Sequence, residues 1–77
     1  MVRIELIELT KEIVRYKYFP EGLEEYGVVA LKLKSGERIL ERAVKDFSPN
    51  YAAHALRRIE EYHKKETFLE KDIIAWY

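Results

Sequence analysis

The stretch Ser48-Pro49-Asn50-Tyr51-Ala52-Ala53-His54-Ala55-Leu56-Arg57-Arg58-Ile59-Glu60-Glu61-Tyr62-His63-Lys64-Lys65 decides the fold, because there the apolar residues recur at helical spacing instead of strand spacing. Laid out at about 100° per residue, Tyr51, Tyr62, Ala55, Ile59, Ala52, His63 and Leu56 share one arc of about 140°. Lys64, Arg57, Glu61, His54, Lys65 and Arg58 lie opposite, and Arg57–Glu61, Glu60–Lys64 and Glu61–Lys65 stand at the spacing of solvent ion pairs. Ser48 can accept from the free amides of the first turn, and Pro49 sits where its missing N–H costs nothing. The segment reads as one amphipathic helix with a self-neutralising outer face.

On both sides of the helix the pattern is that of strands. Ile13-Val14-Arg15-Tyr16-Lys17-Tyr18-Phe19 alternates, with Val14, Tyr16 and Tyr18 on one side and Ile13, Arg15, Lys17 and Phe19 on the other. Val2 to Leu9 alternates except where Leu6 and Ile7 adjoin, which fits a bulged strand or a short helical turn. Pro20-Glu21-Gly22 stops the second strand and an acidic loop leads to Gly27. Gly27 to Leu33 and Arg38 to Val44 form a hairpin with two open registers. If Ser35 and Gly36 alone form the turn, Lys32 faces Ile39; if Lys34-Ser35-Gly36 form the loop, Lys32 faces Arg38 and Ala30 faces Leu40. Turn chemistry favours the longer loop and side-chain charge the shorter. Past the helix, Ile73-Ile74-Ala75-Trp76-Tyr77 reads as a closing strand, with Ile74 and Trp76 in the core and Tyr77, of opposite parity, free for contact.

These elements define one α+β domain over residues 1–77: an antiparallel sheet of four or five strands, order β(β)ββαβ, with one helix across one face. The other face is left for solvent or a partner. A chain of 77 residues buries only about 60% of the surface its unfolded form exposes, which leaves little room for a deep cleft. Its 14 basic and 14 acidic residues cancel, so no overall field draws in nucleic acid or anionic membrane. Cysteine is absent, no apolar run approaches the about 20 residues of a membrane span, and Glu5 interrupts the apolar N-terminal residues where a secretion signal needs continuity. The expected setting is the cytoplasm, with no membrane partner.

Catalytic and metal-binding patterns are thin. His54 and His63 fall on opposite sides of the helix and cannot share a metal. Ser35 and Ser48 are employed in a turn and a cap, Gly22, Gly27 and Gly36 are isolated, and the carboxylates lie on solvated surfaces. No enzyme, cofactor or metal site is therefore expected, although His54 with Arg58 one turn on offers a place for an anion or small molecule. The positive signal is a basic-aromatic strand face formed by Arg15, Lys17, Phe19, Lys32 and Lys34, joined by Arg38 and Arg42 if the hairpin takes the longer loop, the arrangement by which open sheets bind single-stranded nucleic acid, here through Arg15, Lys17, Phe19, Lys32 and Arg38. Ten aromatics exceed what one small core needs, and Phe19, Tyr26 and Tyr77 are left over for protein contacts.

Phe19-Pro20-Glu21-Gly22, Gly27-Val28-Val29, Tyr51, His54-Ala55, Ile59 and the closing Ala75-Trp76-Tyr77 resemble a group of small uncharacterised bacterial proteins with an aromatic-Pro-Glu-Gly turn and a Trp-Tyr end. The likeness runs from Tyr18 to Tyr77 and implies a bacterial cytoplasmic setting, but no activity, cofactor or partner. The expected role is a small non-enzymatic interaction module that self-associates through the uncovered sheet face or an edge strand; single-stranded nucleic-acid binding is the alternative. The candidate surface comprises Arg15, Lys17, Phe19, Lys32, Arg38, His54, Arg58 and Tyr77.

Overall fold

The alternating first half of the chain folds as a meander of β1 (Val2–Leu9), β2 (Ile13–Pro20), β3 (Gly27–Lys32) and β4 (Arg38–Arg42), followed by helix α1 (Asn50–Lys65) and strand β5 (Lys71–Ile74). The computed structural model describes residues 1–76; the expected contact residue Tyr77 lies outside them. One five-stranded sheet results, in the order β4-β3-β2-β1-β5, with antiparallel neighbours throughout. This is the expected α+β fold. The segment 2–9 is a strand, and its Leu6-Ile7 irregularity is a bulge: Leu6 opposes Tyr16 and Glu8 opposes Arg15, leaving Ile7 as the extra residue.

Strand parity sets the core. Val2 and Ile4 of β1, Val14, Tyr16 and Tyr18 of β2, and Val29 and Leu31 of β3 face Ala52, Ala55, Leu56, Ile59 and Tyr62 of α1, and all are buried. The helix packs across β3, β1, β2 and β5. Ser48 Oγ accepts the Asn50 amide at 3.1 Å, while Pro49, at φ −61° and ψ −9°, already has helical dihedrals and makes no capping bond of its own. At the far end Glu66 turns left-handed, donating its amide back to His63 O, and the last turn carries His63, Lys64 and Lys65 at the negative end of the dipole.

Three local expectations are corrected. The β3–β4 hairpin takes neither register: the Lys32 amide donates to Glu37 O at 3.0 Å and Leu31 opposes Arg38, so the loop is the four residues 33–36, closed by Gly36 at φ 76°. An extra residue at Glu41 then shifts the pairing so that Val28 opposes Arg42. Lys32 thus meets Glu37, 3.3 Å away, instead of Ile39 or Arg38, and the like-charge clash never arises. On the helix, Glu60 reaches across to Arg38 of β4, and Glu61 pairs within the helix with Arg58 at the three-residue spacing instead of with Arg57 or Lys65. Finally, β5 ends at Ile74; Trp76 lies beyond it, half-buried at the rim of the core.

Candidate functional site

The face of the sheet away from α1 carries the residues of the other parity: Arg3, Glu5 and Glu8 from β1, Ile13, Arg15, Lys17 and Phe19 from β2, Val28, Ala30 and Lys32 from β3, Ile39 and Arg42 from β4, and Lys71 and Ile73 from β5. Among the described residues no element crosses it, yet its centre is not bare. Ala30 is fully buried and Phe19 only 7% exposed. Long side chains from adjacent strands roof them. The Arg3 guanidinium sits 3.9 Å from the centre of the Phe19 ring, and Tyr26 from the loop before β3 packs on the same ring at 5.6 Å between centroids. Lys17 and Arg42 in turn lie 4.5 and 4.7 Å from the Tyr26 ring centre. Phe19 and Tyr26, expected as surplus, are each other's partner, because the β2–β3 loop folds back over the strand that precedes it.

Most of the charge on this face is matched within it. Arg15 bridges Glu41, 2.9 Å away, and Glu8; Arg3 pairs with Glu5, and Lys32 with Glu37. Lys17, Arg42 and Lys71 form no ion pair among the described residues, and two of these three cations, Lys17 and Arg42, flank Tyr26. Of the residues expected to form a basic-aromatic surface, Arg15, Lys17, Phe19 and Lys32 share the open face, whereas Arg38 points to the helix side and holds Glu60 with two bonds of 3.0 and 2.6 Å. The one-residue difference in hairpin register moved it across.

His54 and Arg58 lie on the helix side too and line one groove together, although each is held by a different partner. The His54 imidazole stacks on Trp76, with ring centres 4.0 Å apart and planes 16° from parallel, beside a shallow groove of about 200 Å³. Arg58 reaches Asp72 of β5 at 2.6 Å. Asp72 Oδ2 also accepts the Tyr62 hydroxyl, and Oδ1 accepts the Ile73 amide at 2.8 Å. Burial works against ionisation of Asp72, but the Tyr62, Arg58 and Ile73 donors outweigh it and hold the carboxyl below its ordinary range. Burial, then the bond to Asp72, pushes the Tyr62 phenol up; burial, then the Asp72 charge, does the same for Tyr16, whose hydroxyl donates to Leu69 O at 2.6 Å.

This cluster borders a concavity of about 340 Å³ lined by Arg58, Tyr62, Leu69 and Asp72 among others. With three donors on one carboxylate, most of its acceptor capacity is used, and its evident work is to clasp β5 to α1. Sequence reasoning missed it, although a signal existed: Asp72 has the core-facing parity of Ile74, so it had to find partners inside. Among the described residues, no three His, Asp or Glu side chains converge as a metal site. No family model, curated protein or solved structure matches the chain.

Proposed function

We propose that the protein is a small non-enzymatic interaction module whose sheet joins a second copy of itself, working in a bacterial cytoplasm. The observation that carries this reading is that, of the seven large apolar side chains about half exposed among the described residues, one stands on each outer strand of the sheet. While the aromatic rings of the open face cover one another, each outer strand presents a large bare side chain: Leu40 of β4 is 48% exposed and Ile73 of β5 59%. Apolar side chains on the rims of a sheet, next to unpaired backbone groups, are what strand-to-strand association uses. Sedimentation equilibrium from about 10 μM to about 1 mM tests the reading: a reversible rise in mass with concentration is expected. A monomer throughout that range would contradict it.

A second reading has one observation in its favour, the pair Lys17 and Arg42 beside Tyr26, which form no ion pair among the described residues. These groups could hold the phosphates of a single-stranded nucleic acid while a base meets the tyrosine. Fluorescence anisotropy with a labelled oligonucleotide should then show affinity that falls with salt at a log–log slope of about −0.7 per phosphate neutralised, and lose one such unit on Arg42→Ala. No binding at low salt would dispose of it.

A further inference from the structure

The two rims of the sheet are not equivalent. Along an antiparallel edge, alternate residues turn their N–H and C=O outward, and the phase at each rim is fixed by one bond. On the β5 side the Leu6 amide donates to Glu70 O, so Lys71 and Ile73 face outward. There the outward amide of Ile73 is already taken by Asp72 Oδ1, and Asp72 itself is fixed by Arg58 and Tyr62. On the β4 side the Lys32 amide donates to Glu37 O, so Arg38 and Leu40 face outward. No side chain among the described residues bonds to the backbone of either. The Arg38 guanidinium, which could have shielded the rim, is drawn back onto Glu60. The β5 rim has one of its outward amides taken within the chain, whereas the β4 rim has none taken among the described residues.

We infer that β4 is the edge by which two copies join, as a two-fold antiparallel pair centred on Ile39 that makes one continuous sheet. The inference rests on the self-association proposed above and names its site. A second copy is favoured as the occupant because β4 complements itself in this one register. With the two-fold axis at Ile39, Arg38 stands against Leu40 of the partner copy on each side of the axis, which satisfies all the outward groups, and the two Ile39 side chains meet on the open face. Glu37 then opposes Glu41, but each already holds a cation of its own chain, Lys32 and Arg15. An axis at Leu40 would instead set Arg38 against Arg42 and Ile39 against the charged Glu41, and an axis at Arg38 would oppose two arginines. The bulge at Glu41 bends the strand just beyond the paired segment and limits the contact to it.

Amide exchange of the full chain, read residue by residue at about 10 μM and about 1 mM, tests this. The Arg38 and Leu40 amides should exchange about tenfold more slowly or better at the higher concentration, while the Ile73 amide, bonded within its own chain, should not respond. Leu40→Lys should weaken the dimer by about tenfold or more, and Ile73→Lys should leave it unchanged, with circular dichroism confirming that both variants are folded. A dimer whose Arg38 and Leu40 amides do not respond, or that Leu40→Lys spares, overturns the β4 assignment and leaves self-association standing. A chain that stays monomeric overturns both.

Discussion

Replacing Gly27 by alanine probes the packing that connects the two faces of the sheet. Gly27 opposes Tyr18 across β2 and β3, and the Tyr18 ring lies over its α-carbon. A Cβ built there would stand 2.2 and 2.3 Å from Tyr18 ring atoms and 2.5 Å from the Arg42 carbonyl oxygen, all far inside van der Waals contact. The ring must swing away, and because that leaves the carbonyl contact in place the β4 backbone must shift as well. Tyr18 is 3% exposed, and its hydroxyl accepts the buried Val44 amide at 3.3 Å, so displacing the ring also frees that amide. Overpacking of a core costs about 1–3 kcal/mol and a lost buried hydrogen bond about 1 kcal/mol more, against a gain of about 0.4–1 kcal/mol from the stiffer unfolded chain. A net loss of about 1–3.5 kcal/mol, centred near about 2, follows, a large share of the total of about 4–12 kcal/mol expected for a domain of this length. Urea titration followed by far-ultraviolet circular dichroism should show the midpoint falling by about 2 M at an m-value near 1 kcal/mol/M. Combining Gly27→Ala with Tyr18→Leu should show coupling of about 1 kcal/mol, since the ring atoms that clash are then gone. If Gly27→Ala alone falls within about 0.5 kcal/mol of the parent, the ring does not lie over this glycine and the packing described for this strand pair is wrong.

Further outcomes follow from the clasp and the rings. Asp72 has its pKa depressed in the folded state, so its contribution is complete above the unfolded carboxylate range near about 4 and is lost as pH falls through the folded value; urea midpoints measured from pH 6 to pH 2 should drop in that window, and Asp72→Asn should flatten the drop. The Tyr16 and Tyr62 phenols are raised, so the folded state favours their neutral form and stability should decline as pH climbs past about 10, where unfolded tyrosine ionises; absorbance at about 295 nm should show these two titrating late or only on unfolding. Trp76→Ala removes a half-buried ring that stacks on His54 and meets Tyr51 edge-on at 5.3 Å, so it should cost about 1–2 kcal/mol, below the about 3–5 kcal/mol of a fully buried indole, with unfolding still cooperative by calorimetry.

Where the sequence alone was sufficient, a periodic pattern coincided with burial. Val14, Tyr16 and Tyr18 alternate because one side of β2 is core, and Ala52, Ala55, Leu56, Ile59 and Tyr62 recur at helical spacing for the same reason. What escaped it depended on strand neighbours that no local pattern names. The Arg3–Phe19 contact needs β1 beside β2 and the Tyr26–Arg42 contact needs a loop folded back on the sheet, so Phe19 and Tyr26 read as spare rings although they pack on each other. The hairpin register was decided by a four-residue loop and an extra residue at Glu41, two irregularities that offset each other by one position and leave the charge pattern ambiguous. The position of Arg38 followed from that register, and with it the Glu60 pair that leaves the β4 rim open. Trp76 fell outside β5 because the strand ends at Ile74, where its partner Val2 is the first residue of β1.

The central claim, that two copies join along β4, is tested most directly by isotope-filtered NOE spectroscopy on a mixture of carbon-13-labelled and unlabelled chain at millimolar concentration. Contacts between chains should run from Ile39 to Ile39 and from Leu40 to Arg38, with none from Ile73. Contacts that come instead from Ile73, or from Phe19 and Tyr26 across the open face, would contradict the account.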